Sequence, residues 1–254
     1  MIRTCCRKQI ARQRDTCLRQ MIMSHYEKAW QAVLQRIQAA ERASGRTPGA
    51  VRLLAVSKTF PADAVRAVHA LGQRAFGENY VQEGVAKRAQ LADLADLEMV
   101  LIGPLQGNKT REAAATFDRV ESVDRLKIAE RLSAQRPPDR GPLSVLVQVN
   151  ISGEASKSGV APGAAVALAQ AVAALPRLAF RGFMGIAEPT PDVARQRAQF
   201  AMLARCRDAA RAAGLAADTL SMGMSDDMEA AIAEGATEVR IGTAIFGKRD
   251  RAAP

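Results

Sequence analysis

Apolar and polar positions along this chain fall into a repeated pair of segments, a short apolar run and then a longer amphipathic one. The stretch MSHYEKAWQAVLQRIQAAERAS, residues 23–44, predicts an amphipathic helix closed by Gly45. VRLLAVS (51–57) is apolar enough for an interior strand, and PADAVRAVHAL (61–71) follows as a helix with Pro61 at its start. The pair then recurs: strand 74–79 with helix 80–94, strand 98–103 with helix 107–117, and strand 119–124 with helix 125–135. Strand 143–151 precedes helix 162–174, strand 178–186 precedes helix 192–213, and strand 219–224 precedes helix 225–235. A last strand, EVRIGTAIFG, is expected over 238–247. Pro137-Pro138 and Gly214 stop the helices before them.

Strands that alternate with helices give a parallel sheet. Several of these strands are apolar on both faces, as strands inside an α/β protein must be. Eight repeats predict a single (β/α)8 TIM barrel with an additional N-terminal helix. A doubly wound open sheet is the rival. It would carry a glycine-rich turn after the first strand, where this chain has SKTFPAD.

With 254 residues, 48% of them hydrophobic, the chain can bury a sizeable core. Aromatic residues are only 4%, which argues against an aromatic-lined carbohydrate or single-strand nucleic-acid surface. The formal charge of +10 would suggest an anionic partner, but residues 1–22 hold half of it. There Arg3, Arg7, Lys8, Arg12, Arg14 and Arg19 stand against Asp15. The rest is spread thinly, as on an ordinary solvated surface rather than a nucleic-acid stripe. Residues 1–22 lack the apolar segment of a secretory signal. They are Arg-rich and nearly acid-free, like an organelle presequence. The well-formed helix from Met23 favours instead a disordered extension or misplaced start over 1–22, with 23–250 as the barrel. Cys5, Cys6 and Cys17 belong to that leading stretch, and Cys206 reads as a small core or helix-face residue. With no CxxC pair and only His25 and His69, neither a metal site nor a disulfide framework is expected. No apolar run is long enough to span a bilayer. The expectation is a cytoplasmic monomer without a membrane or nucleic-acid partner.

The working residues of such a barrel sit at the C-terminal ends of its strands. There the first strand ends in Ser57-Lys58, the second in Gly77-Glu78-Asn79-Tyr80, the fifth in Asn150 and the seventh in Met222-Gly223-Met224-Ser225. Two neighbouring motifs suit an anion. GMSDDMEAAI offers Ser225 as the N-cap of a helix, and RIGTAIFG offers the backbone N–H groups of Gly242 and Thr243. Oriented amides hold a phosphate without any lysine, and barrels commonly build such a site after strands 7 and 8. Taken singly, each motif reads as a tight turn or a cap, and only the pair at adjacent strands brings a phosphate site level with that reading. Lys58 taken alone reads as a solvated surface lysine. At a partly apolar barrel mouth its amine can instead attack an aldehyde. A lysine and a phosphate cradle together fit a ligand that carries both an aldehyde and a phosphate. Pyridoxal 5′-phosphate (PLP) is one such ligand, and an aldehyde sugar phosphate on a Schiff-base aldolase is another.

LLAVSKT, FGENYVQE, IGPLQGNK, VNISGEASKSG, SMGMSDDMEAAI and VRIGTAIFG, in that order, resemble the YggS/PROSC family of PLP homeostasis proteins. The resemblance runs from Met23 to Arg249. It implies a barrel like that of bacterial alanine racemase, without that enzyme's second, β-rich domain. It implies that Lys58 bears PLP and that Ser225, Gly242 and Thr243 contact the phosphate, with Met224 beside them in the cofactor site. By the racemase analogy, Arg240 faces the pyridine nitrogen and Asn79 lines the ring pocket. Lys157, in EASKSG, matches a lysine proposed in the family as an additional, exchangeable PLP site. The chain departs from the family at the third strand, where Glu98 followed by Met99-Val100 replaces a frequent Trp-His.

An acidic partner at the pyridine nitrogen strengthens PLP as an electron sink. Arginine there favours a neutral nitrogen, because it does not readily give up its proton. A racemase also needs a second base, and the only tyrosines are Tyr26 and Tyr80. The resemblance therefore implies a carrier that holds PLP as a Schiff base and releases it to apo-enzymes without robust turnover. The alternative is a PLP-dependent amino-acid racemase or lyase with Lys58 as base.

Overall fold

The structure, a computed structural model, describes residues 2–154 and 157–247, with side chains from residue 23 onward. Eight parallel strands close into a barrel in chain order. They are β1 (Arg52–Val56), β2 (Ala75–Glu78), β3 (Glu98–Leu101), β4 (Arg119–Val123), β5 (Leu143–Val149), β6 (Leu178–Gly185), β7 (Thr219–Ser221) and β8 (Glu238–Ile241). β1 closes the ring against β8, with Leu54 opposite Arg240. Around the strands lie α2 (Ala62–Ala70), α3 (Val81–Gln90), α4 (Thr110–Thr116), α5 (Leu126–Gln135), α6 (Ala165–Ala173), α7 (Val193–Ala212), α8 (Met228–Ala233) and the single turn α9 (Thr243–Phe246). The predicted TIM barrel is the fold.

Strand side chains alternate between two environments, as the period of two demands. Outward-facing Leu53, Phe76, Val120, Val145, Phe183 and Leu220 join one continuous core beneath the helices. Burying each such side chain contributes roughly 1.5–3 kcal/mol, so this outer layer carries most of the stability. Leu54, Ala75 and Val100, with Ile102, form a separate small cluster inside the ring. Much of the remaining lumen is charged, which matters for the site below.

The leading helix α1 (Ile2–Ala43) packs on α2, α8 and α9. Trp30 Nε1 donates to Gln73 Oε1 at 3.2 Å, and Gln73 Nε2 donates in turn to the carbonyls of Leu53 and Ala75, both at 2.8 Å. The buried Glu41 carboxylate accepts the N–H groups of Gly49 (3.0 Å) and Val51 (2.7 Å), tying the end of α1 to the start of β1. The boundary expected at residue 23 falls within α1. The expectation of a disordered extension or misplaced start concerns residues 1–22, whose side chains lie outside the described ones.

One expected element is corrected. The strand predicted over 238–247 stops at Ile241, and α9 follows from Thr243. Gly242 turns the chain out of the sheet with φ −115° and ψ −75°. The turn buries Ile245 and Phe246, and the Phe246 ring stacks on Phe60 at 5.2 Å and meets Tyr26 edge-on at 5.9 Å. The apolar run is real, but it serves a helical turn sealing α1 to the barrel.

Candidate ligand-binding site

A cavity of about 840 Å³ opens at the C-terminal mouth of the barrel. All eight residues singled out in the sequence line it: Lys58, Asn79, Lys157, Met224, Ser225, Arg240, Gly242 and Thr243. They come from five separate strand ends, so only closure of the ring brings them together. Asn79 is held by a close approach of backbone. A Cβ on Gly103, just past β3, would stand 2.1 Å from the Asn79 carbonyl oxygen.

On one side of the cavity, Lys58 projects from the turn after β1. The turn is tied down from behind by a buried cluster on β2 and α3. Lys87 Nζ donates to the Ser57 carbonyl (2.7 Å), Glu78 Oε1 (2.7 Å) and Glu83 Oε1 (2.8 Å). Ser57 Oγ donates to the same Glu78 oxygen at 2.6 Å. The Thr59 N–H donates to Glu83, which stabilises Thr59 at φ +68°, a backbone region unfavourable for a β-branched residue. Both neighbours of Lys58 in the chain are therefore anchored to α3. Burial pushes the Glu78 carboxyl up from its ordinary value, against the opposing pull of Lys87.

The adjoining wall is built from the turn after β7 and the start of α9. Ser225 is not a helix N-cap, contrary to the expectation. α8 starts at Met228 with Asp227 at the N-cap position. The Met224 N–H donates to Asp227 Oδ1 (2.6 Å) and the Asp227 N–H to the Met224 carbonyl (3.3 Å), so residues 224–227 form a tight turn of their own. That reciprocal pair takes the capping carboxylate away from the helix and leaves Ser225 on the cavity wall. Gly242 lies flush on the end of β1, where a Cβ would meet the Val56 carbonyl oxygen at 3.1 Å and Val56 Cβ at 3.3 Å. The first N–H groups of α9 have no partner within the helix and are available to an acceptor in the cavity.

Arg36, a residue the sequence reading missed, reaches over this turn from α1. Its Nη2 donates to the Ser225 carbonyl at 3.1 Å and to Glu229 Oε1 at 2.8 Å. It also lines the cavity, adding a cation on the anion side. Nothing local marks it, because its contacts lie across most of the chain.

Arg240 forms part of the wall below and is almost wholly buried, 4% exposed. Its Nη1 donates to Ser221 Oγ (2.9 Å) and its Nη2 to the Gly185 carbonyl (2.8 Å). Burial pulls the guanidinium below its ordinary value, while Glu121, Glu238 and Asp227 act against that shift.

The sequence profile described as alanine racemase, N-terminal domain, matches residues 29–250. A Pseudomonas aeruginosa protein named pyridoxal phosphate homeostasis protein is 60% identical over 222 residues, which is 87% of this chain and 95% of its own. The chain belongs to this family of alanine-racemase-like barrels. Among solved structures, an unknown protein from Bifidobacterium adolescentis is similar with a TM-score of 0.85 and 38% identity, over 89% of this chain and 96% of its own. PipY of Synechococcus elongatus, solved with PLP bound, has a TM-score of 0.71 and 38% identity, over 84% of this chain and all (100%) of its own.

Glu98, Met99 and Val100, which the resemblance set against a frequent Trp-His, lie away from the cavity. Glu98 is at the far end of β3 and pairs with Arg52 and Arg119, while Met99 joins the outer core and Val100 the lumen cluster. None of the three lines the cavity. Lys157 does line it, in the loop after β5 that Asn150 organises. Asn150 Nδ2 donates to the Glu154 carbonyl (2.8 Å), and its Oδ1 accepts from Ser152 Oγ and the Gly153 N–H, both at 3.1 Å. Lys157 Nζ is 3.5 Å from both the Ala187 carbonyl and Glu154 Oε2. Neither tyrosine reaches the cavity: Tyr80 is exposed at the rim and Tyr26 packs on Phe246.

Proposed function

We propose that this protein binds PLP in the mouth cavity, holds it as a Schiff base on Lys58 and releases it to apo-enzymes, with no catalytic turnover of its own. The observation that carries the reading is that Lys58, Gly242 and Thr243 line one cavity. Its volume, about 840 Å³, is in the range of small-molecule sites. The missing side chain at Gly242 leaves the backbone open to a phosphate that a Cβ would crowd. When bound, PLP supplies an aldehyde open to amines and an electron-withdrawing ring.

Lys58 would supply the amine for the aldehyde carbon, with water as the leaving group. Gly242, Thr243 and the turn at Ser225 take the phosphate through main-chain donors, and Arg36 adds charge at the outer edge. Arg240, which lines the cavity, would face the ring nitrogen and, as a poor proton donor, would leave it unprotonated. A weak electron sink and the absence of both tyrosines from the cavity disfavour chemistry at an amino-acid Cα. Lys157 offers a second amine in the same cavity, a route by which PLP leaves Lys58 by exchange. The cell interior is the compartment in which such a carrier would meet its apo-enzymes.

The test is borohydride reduction of PLP-loaded protein followed by peptide mass mapping. The label is expected on Lys58 and is lost in Lys58→Ala, whereas a label confined to other lysines defeats the assignment. Transfer to an apo-enzyme is read as recovery of that enzyme's activity from loaded protein in the presence of a scavenger of free aldehyde. Lys58-dependent exchange of amino-acid Cα–H in deuterated solvent would support the racemase or lyase reading instead.

A further inference from the structure

Inside the barrel, a line of buried polar side chains runs from the closed end up to the cavity. Arg119, on β4, donates from Nη2 to Glu238 Oε2 at 2.5 Å, lies 3.3 Å from Glu121 Oε1, and has its Nε 3.5 Å from Glu98 Oε1. Glu121 Oε2 accepts from Ser221 Oγ at 2.6 Å, and Ser221 Oγ accepts in turn from Arg240 Nη1 at 2.9 Å. Glu121 and Ser221 are fully buried. Only Arg240, at the upper end, faces the cavity.

A buried charge is kept where its bonds are saturated, and its cost rises steeply where they are not. Arg240 has two fixed acceptors, and one of them is a hydroxyl. A hydroxyl can accept from a guanidinium and donate its own proton onward in a single orientation. Ser221 has that orientation forced on it, because Glu121 can only accept. The carboxylate thus acts on Arg240 through one intermediate atom. The polar groups that face Arg240 come from four strands: Glu121 from β4, the Gly185 carbonyl from β6, Ser221 and Asp227 from β7 and its turn, and Glu238 from its own strand β8, while β1 sets the apolar Leu54 opposite it.

We propose that Ser221 and Glu121 are positioning residues for the ligand: Glu121, through Ser221, fixes the orientation of the Arg240 guanidinium that meets the ring-nitrogen end of PLP. This rests on the reading that PLP occupies the cavity. The relay makes the ring's electronic state depend on a carboxylate buried a full side chain deeper than anything the ligand touches.

The experiment compares wild type, Ser221→Ala and Glu121→Gln, with PLP itself as the probe. Three quantities are read: PLP affinity, the absorption maximum of the bound chromophore, and the melting temperature of the unloaded protein. Each variant is expected to bind PLP about three- to tenfold more weakly and to move the absorption maximum, while borohydride still places the label on Lys58. Lower thermal stability with an unmoved spectrum and unchanged affinity overturns the proposal, since a purely structural role would give that result. If Glu121→Gln does not fold, Ser221→Ala, which loses one hydroxyl, decides alone. If the wild type binds no PLP, the functional reading falls, and the relay is judged in the unloaded protein from the Arg240 guanidinium N–H resonances. Slow exchange in the wild type that becomes fast in Ser221→Ala supports the relay, and equal exchange in both overturns it.

Discussion

Two buried charge clusters flank the cavity, one built on a lysine outside the barrel wall and the other on two arginines inside it. Behind Lys58, outside the barrel wall, one cation serves two carboxylates, and Lys87 spends its three donors on Ser57, Glu78 and Glu83. Below Arg240, inside the wall, Glu121 and Glu238 share Arg119 and each keep one oxygen, Oε1, without a donor among the described residues, as Glu78 does with its Oε2 in the first cluster. Burial and the neighbouring Glu121 charge push the Glu238 carboxyl up to about 8, against Arg119. The first cluster is a clamp that holds the turn bearing Lys58. The second holds Arg240 in the cavity wall. Each contains a carboxyl whose pKa burial raises, Glu78 in the first and Glu238 in the second.

The largest effect separating the two is expected from Lys87→Met. It strands the Glu78 carboxylate in a dry site and is expected to cost about 3–5 kcal/mol of stability, read by urea unfolding. The sign with pH follows from Glu78. Without Lys87 its folded-state pKa rises further above the unfolded value, so the proton it binds stabilises the fold at low pH and that contribution fades as pH rises. A loss that does not grow from pH 5 to pH 8 would contradict the clamp.

Glu238→Gln tests the other cluster. The Glu238 carboxyl has a folded value of about 8 against an ordinary 4.5. Its contribution is full below the ordinary value and is lost as pH rises through about 8. Between those limits the single group lowers wild-type stability by at most about 1.4 kcal/mol per pH unit. The glutamine variant, which cannot titrate, is expected to have the flatter pH profile in thermal or urea melts. Parallel profiles would mean that Glu238 gives up no proton in this range.

The two serines form a matched pair of smaller size. Ser57→Ala and Ser221→Ala each remove a hydroxyl bonded to a buried carboxylate, at a cost of about 1–2 kcal/mol. Only Ser221→Ala is expected to move the spectrum of bound PLP. Arg36→Ala stands at the bottom of the scale: its ion pair with Glu229 is solvent-exposed and is expected to be worth about 0.5 kcal/mol in urea melts, less in salt.

The barrel was legible because its strand and helix periods are strong and its outer core is continuous. The cavity was legible for a related reason, since strand ends of a closed barrel must converge. The charged lumen was not. Arg119 and Glu121 alternate with Val120, and Glu238 and Arg240 alternate with Val239, which is the same pattern that a strand with one wet face shows. Only closure of the ring tells lumen from solvent. The apolar run at 244–246 misled for the opposite reason, because a helical turn of four residues is too short to reveal its period. Ser225 misled because Asp227, two residues on, bonds back to Met224. Arg36 had no signal at all, since only the docking of α1 carries it to the mouth.

That docking can be watched directly. The chain has a single tryptophan, Trp30, and its indole is wired through Gln73 to the first two strands. Its fluorescence therefore comes from the seam between α1 and the barrel, uncontaminated by any other indole. A red shift of that emission that precedes loss of helical circular dichroism would register α1 lifting away, and Arg36 with it, while the ring of strands is still intact.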